Sequence, residues 1–284
     1  MSTMNGQKEE KLKFLLARIP PGFLVDSAWM TKHGISRSST HDYLRRHWLE
    51  PLSRGVYRRP LSLTGHPDAA RDWTIPVLSA QQIMGYDLHV GGLTALALGG
   101  HVHYLPLGSR ETVYLYSERP PSWLTKLPLT ARLFIRNTRL FDDASLGVDN
   151  TDVNLSADSN LALSPWQWPL KASSAERAIL EALDELPDNE SFHTLDTIFE
   201  SLANLRPRRL TALLKSCRKV QVKRLFFVFA DKHAHAWRKH IHPSEVDLGS
   251  GDRAFYKGGK LHPRYRITVP PEFLPRLPEA ADGP

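Results

Sequence analysis

Apolar positions recur with helical spacing over 9–18, where Leu12, Leu15 and Leu16 share one face and Pro20-Pro21 ends the run. Residues 1–8 lack that periodicity and read as a frayed tail. A short helix is predicted over 27–32, with Asp26 placed to cap it and Gly34 supplying a left-handed turn at its end. Ile35 plugs that turn, Ser36 caps the next helix, and the pattern carries that helix from Arg37 to about His47. On its wheel Thr40, Tyr43, Leu44 and His47 form one face, suited to packing on the preceding helix. Ser38, His41, Asp42 and Arg45 point away, with Arg37 and Ser39 near the start. The alternating runs WLEPL and VYRR then pair as strands across Ser53-Arg54-Gly55. Helix, turn, helix and basic hairpin is the order of a winged helix-turn-helix DNA reader.

The pattern changes after Pro60. LSLTGHP (61–67) has linker composition. A helix lies within 68–84, weakened or kinked by Pro76; YDLHVGG (86–92) reads as strand and turn, and LTALALGG as a helix closed by glycine. ETVYLYS (111–117) and ARLFIRN (131–137) alternate as strands, with a helical turn in PPSWLTKL between them. Residues 141–170 are polar and aperiodic, read as loops with one strand. Four helices follow: SSAERAILEALDEL capped by Ser173 or Ser174, SFHTLDTIFESLANL, RPRRLTALLKSC, and VKRLFFVFADKH. The last is apolar on all sides from Leu225 to Ala230, hence interior. GDRAFYKGGKLHPRYRITVP reads as a hairpin turning at Gly258-Gly259, and PEAADGP as a disordered tail. The expected fold class is α/β in the α+β sense: a winged helix-turn-helix over 9–60, then a larger mixed domain over 61–275.

The length of 284 residues exceeds one small DNA-binding module, which agrees with two domains. The net charge of +7 matters less than its distribution. Residues 31–60 hold seven Lys or Arg against two acids, 61–200 hold nine against eighteen, and 201–240 hold eleven against one. Two basic islands thus flank an acidic body, which points to anionic or charged macromolecular partners. The single cysteine, Cys217, excludes an internal disulfide and a multi-cysteine zinc site, and reads as a small buried residue. No apolar run reaches the roughly 18 residues of a membrane span. The first residues lack a signal-peptide core, so a cytoplasmic location is expected.

For DNA, Arg37, Ser38, Ser39, His41 and Arg45 are assigned at or near bases, a small polar face with long cations suited to the major groove. Arg54 at the wing tip, with Arg46, Arg58 and Arg59, is assigned to phosphates or a minor groove. Asp42 orients Arg45 or accepts from a cytosine amino group, and Tyr57 belongs to the wing core. The bland alternative is a solvated basic face. In the second island Arg208, Arg209, Lys215, Arg218, Lys219, Lys223 and Arg224 crowd two helices, either as a solvated face or as a partner surface. His101/His103 and His233/His235 are spaced for metal only on a strand; the second pair, on a helix, is expected to diverge. No carboxylate or cysteine supports either pair, so no metal or cofactor is assigned. GGLTALALGG lacks the Gly-Lys-Ser/Thr ending of a phosphate loop, and no nucleophile elbow or nuclease carboxylate–lysine set is present. No enzymatic activity is expected.

Four stretches in order resemble the AbiEi-type antitoxins of bacterial type IV toxin–antitoxin and abortive-infection systems. They are VGGLTALALGGHVHYLPLG (90–108), AERAILEALDELPDNESFHTLDTIFESLANLRPRRLTALL (175–214), VKRLFFVFADKHAHAW (222–237) and RAFYKGGKLHPRYRITVP (253–270). The wing ending SRGVYRRP (53–60) is similar to that family's N-terminal module. The resemblance implies a winged helix that represses its own operon at inverted repeats in the promoter. It also implies a C-terminal domain carrying antitoxicity toward a co-encoded nucleotidyltransferase-like toxin, as in phage defence. Without an obvious coiled-coil dimeriser, a monomer in solution with two copies on DNA is expected. The rival readings are a ligand-responsive winged-helix transcription regulator and a DNA-targeted nuclease.

Overall fold

The computed structural model describes residues 2–60, 72–101, 111–152 and 168–275. The chain divides into two compact units: residues 1–90, 106–136 and 150–172 form the first, and residues 91–105, 137–149 and 173–284 the second. The proposed linker 61–67, His103 and the tail from 278 lie outside the described residues.

The first unit begins with α1 (Ser2–Arg18), so 2–8 continue the helix rather than fray from it. Strand β1 (Leu24–Asp26) leads directly into α2 (Ser27–Lys32), and α3 (Arg37–Arg45) follows. A hairpin of β2 (Glu50–Ser53) and β3 (Val56–Arg58) completes this helix-turn-helix segment. The sheet order is β1-β3-β2, so β3 is central and β1, which periodicity did not reveal, occupies an edge. Three residues are too few for alternation to declare a strand; β1 exists because Leu24 to Asp26 pair antiparallel with Arg58 to Val56.

Helix α4 (Thr74–Leu78) holds Pro76 in its first turn, where a missing N–H removes no intrahelical bond. The chain then widens into a π turn over Ser79–Ile83, with Met84 N donating to Ser79 O. β4 (His89–Val90), β5 (Thr112–Tyr116), β6 (Arg132–Arg136), β7 (Val148–Asp152) and β8 (Pro169–Ser173) make one sheet ordered β6-β5-β4-β8-β7. β5 and β6 run parallel, joined through a 3₁₀ turn at Leu124–Lys126. One apolar core unites α1–α3 with α4 and this sheet: Leu15, Ile19, Trp29 and Met30 cluster with Val77, Val90, Val113 and Leu170.

The second unit is mainly helical: α5 (Gly92–Leu98), α6 (Ala175–Leu183), α7 (Phe192–Ser201), α8 (Pro207–Ser216) and α9 (Val220–His233). Ser174 caps α6, accepting from Arg177 N. Every α9 residue from Leu225 to Ala230 is buried, as the all-round apolar pattern there required, and burial extends back over Val222, Lys223 and Arg224. At the centre, Arg177 and Glu181 form a pair with side chains 0% exposed, Nε to Oε1 2.7 Å. Glu181 also accepts from Gly92 N and Ser173 Oγ, while Arg177 binds the carbonyls of Ala144 and Leu146. β9 (Lys260–Leu261) and β10 (Thr268–Val269) are antiparallel. The hairpin therefore turns through 262–267, not at Gly258-Gly259, which form a tight turn before β9. His262 fixes the actual reversal: its Nδ1 accepts from the amides of Arg264 and Tyr265.

Candidate nucleic-acid interface

The helix-turn-helix is assembled by its caps. Asp26 Oδ1 accepts from Trp29 N at 2.8 Å and Ser36 Oγ from Ser39 N at 3.1 Å, which satisfies amides that helix geometry leaves open. Gly34 takes φ +70° between the helices, and Lys11 Nζ binds its carbonyl at 2.6 Å. Ile35, 3% exposed, fills the space beneath. Helix α3 stops at Arg45, two residues short of the periodicity, because His47 adopts φ +57°. His47 is consequently exposed instead of joining the packed face with Thr40 and Tyr43.

The outward side of α3 presents Arg37, Ser38, His41, Arg45 and Arg46, all exposed. Asp42 lies 3.4 Å from Arg45 Nη2, close enough to bias the direction of that cation, whose side chain remains 69% exposed. Arg46 lies over the Trp48 ring at 5.4 Å. Ser39 is placed differently: it is 5% exposed, its hydroxyl against Ser36 Oγ at 3.0 Å. The wing turns at Arg54-Gly55 with Gly55 at φ +75°. Ser27 N donates to Gly55 O at 2.8 Å, which fastens the wing base to the start of α2 and leaves Arg54 exposed.

Arg58 and Arg59 serve the scaffold. Arg58 Nε meets Glu50 Oε1 at 2.8 Å, its register partner on β2. The signal was available, since both residues stand four positions from Arg54. Arg59 Nη1 binds the carbonyls of Leu16 and Ile19, each at 2.7 Å, closing the end of α1. Burial holds the Arg59 guanidinium below its usual range. Sequence reasoning also missed the second role of Asp26: its Oδ2 accepts from Tyr86 Oη at 2.5 Å and Trp123 Nε1 at 3.1 Å. Nothing local marks partners 60 and 97 residues away.

The second basic island is largely engaged. Arg209 pairs with Asp149, Lys215 with Glu245, Arg218 with Asp142, and Lys219 with Asp184. Lys223 and Arg224 are buried and bind backbone carbonyls at Asp247, Leu248, Gly251 and Arg266. Arg208 alone of the seven is exposed without an ion pair among the described residues. The rings of His233 and His235 stack 6.0 Å apart instead of diverging, because Ala234 ends α9 in the left-handed region. Their Nε2 atoms bind Asp196 and the Phe199 carbonyl. Among the described residues no three His, Cys, Asp or Glu are grouped to hold a metal ion, and no helix is long and apolar enough to cross a membrane. Cys217 is buried at the end of α8, its thiol pushed up to about 11 by burial.

Three helices closed by a β1-β3-β2 ribbon define a winged helix-turn-helix protein. Two family models together match most of the chain, which therefore belongs to the AbiEi antitoxin family of type IV toxin–antitoxin systems. The family model described as transcriptional regulator, AbiEi antitoxin N-terminal domain, matches residues 8–107. The model described as transcriptional regulator, AbiEi antitoxin, type IV TA system, matches 110–270. The crystal structure of the RV2827C protein from Mycobacterium tuberculosis is similar with a TM-score of 0.53 and 16% identity, over 92% of this chain and 90% of that one. That likeness concerns the fold. No curated protein matches the chain.

Proposed function

We propose that this protein is the antitoxin of a two-gene type IV system, acting through two separate tasks. Residues 9–60 bind inverted repeats in the promoter of its own operon and repress it. The larger part, 61–275, neutralises a co-encoded nucleotidyltransferase-like toxin. No catalytic step or cofactor enters this reading. The observation that carries the DNA half is the set Arg37, Ser38, His41, Arg45, Arg46 and Arg54, exposed together on α3 and the wing tip. Helix α3 reads base edges in the major groove and Arg54 holds the backbone or the adjacent minor groove. A single winged helix binds modestly, so a chain monomeric in solution pairs on the repeat for tight repression.

The antitoxin half draws on family membership. Of the seven cations singled out in the second island, Arg208 is the one exposed without an ion pair among the described residues, whereas reversing Arg209 or Arg218 breaks ion pairs of this chain. Charge reversal at Arg208 alone is therefore the clean probe of toxin neutralisation there. For the DNA half, anisotropy on a duplex carrying the chain's own promoter repeat is the test. Arg37→Ala and Arg54→Ala should weaken binding while the thermal melt stays in place. Wild-type affinity in both variants would end the assignment.

One observation favours a second reading, a ligand-responsive regulator. A cleft of about 290 Å³ in the first unit is lined by Arg18, Trp29, His33, Gln82, Ile83 and Trp168. It touches α2 directly, so an occupant there would bear on the reader. A small-molecule library that shifts melting and operator affinity together would favour this reading over the first.

A further inference from the structure

Most cations of the second unit are held in ion pairs, and notable exceptions fall in one short stretch. From Asp252 to Arg266 five Lys or Arg stand against one acid. Asp252 takes Arg266 Nε and Nη2 at 2.6 and 2.8 Å, and Arg264 reaches Asp231 at 3.2 Å. Arg253, Lys257 and Lys260 are exposed and make no ion pair among the described residues. Tyr256 stands in their midst, 37% exposed, where the large apolar side chains among the described residues are otherwise mostly covered.

The tyrosine is held in place. Its ring meets Phe192 with centroids 5.2 Å apart and planes at 73°. Its amide donates to Thr268 Oγ1 at 2.9 Å and its carbonyl accepts from Gly259 N at 3.1 Å. A Cβ on Gly259 would stand 2.6 Å from Val269 O, so the turn is pressed against β10. Gly258, at φ +76°, has nothing within 4 Å of its missing Cβ and faces open space.

We infer that residues 253–260 form a binding surface for single-stranded nucleic acid. Tyr256 is the platform on which an unpaired base stacks, and Arg253, Lys257 and Lys260 hold the flanking phosphates. Cations without carboxylate partners release counterions on meeting a polyanion, and paired ones do not gain in the same way. A fixed, exposed ring adds little against a duplex, whose bases already stack on one another. An acidic protein surface would satisfy the lysines and leave the ring unused. The inference stands apart from operator binding, whose residues belong to the first unit.

Anisotropy of the full chain on labelled oligo(rU) and oligo(dT), about a dozen nucleotides long, tests it. Tyr256→Ala should weaken binding about tenfold, and Tyr256→Trp should retain it. Lys257→Glu with Lys260→Glu should flatten the salt slope by about 1.4, and all three variants should bind operator duplex as wild type does. Arg37→Glu with Arg54→Glu should leave oligonucleotide binding in place; the rU-to-dT ratio then tells whether RNA or DNA is the source. Oligonucleotide binding that vanishes with Arg37 and Arg54 and ignores Tyr256 overturns the inference. So does a result in which the Tyr256 and lysine variants lose only co-purification with the co-encoded toxin. Failure of the operator experiment would leave these readouts untouched.

Discussion

Asp26 joins three distant segments of the first unit, and its replacement by alanine is the most informative single perturbation of the winged helix-turn-helix. One carboxylate oxygen caps α2 through Trp29 N, and the other accepts from the Tyr86 hydroxyl and the Trp123 indole. The side chain is 4% exposed. Loss of the cap costs about 1 kcal/mol. The indole donor, in a tryptophan 7% exposed, loses its acceptor at a cost of roughly 1–2 kcal/mol. The half-buried Tyr86 hydroxyl adds less, because water reaches it. Asp26→Ala should therefore cost about 3 kcal/mol, and Asp26→Asn about half of that because the cap acceptor survives. Burial, then the Asp26 contact, pushes the Tyr86 hydroxyl up to about 12; alanine should lower it toward its ordinary range. Urea unfolding followed by tryptophan fluorescence suits the measurement, since six of the seven tryptophans belong to the first unit's residue ranges. The midpoint should fall with an unchanged slope. A loss below about 1 kcal/mol in Asp26→Ala would refute the view that this carboxylate ties α2 to the rest of the unit.

Four further outcomes are expected. Arg54→Ala should flatten the salt dependence of operator binding by about one unit without moving the melt. Arg59→Ala should cost roughly 1.5–3 kcal/mol of stability, through two carbonyls left without a charged donor, and should leave the slope alone; the reverse pattern would return Arg59 to the DNA contacts. In the second unit Arg177→Met should destabilise by about 3–5 kcal/mol by leaving Glu181 buried without its cation, with much of the loss recovered by adding Glu181→Gln. Full stability of the single variant in chemical unfolding would contradict this. Glu176 supplies the pH dependence: burial raises its pKa, but hydrogen bonds from the Arg206 side chain and amide prevail and hold it at about 2. Its contribution, roughly 2–3 kcal/mol, should be complete above its ordinary value near 4.5 and be lost as pH falls from there toward 2. Glu176→Gln should remove that acid-limb slope, and an unchanged slope would assign it elsewhere.

The chain alone determined the local grammar of this protein. Asp26, Gly34, Ser36 and Gly55 each carry a requirement met within a few residues, so the helices at 27 and 37 and the wing turn were legible from spacing. The burial of Leu225 to Ala230 was legible for the same reason: periodicity records which faces are covered. Exposure of Arg37, Ser38, His41, Arg45 and Arg54 followed from the wheel and the turn. What covers each face is not local, and there the tertiary structure decided. Only the fold shows that Arg59 ends α1, that Arg58 answers Glu50, that Ser39 turns inward, and that the second basic island consists mostly of ion pairs. A charge count cannot separate a cation facing solvent from one facing a carboxylate some thirty or seventy residues away, because both have the same sequence signature. Burial and pairing set which cations remain available to a partner, and both are properties of three-dimensional packing.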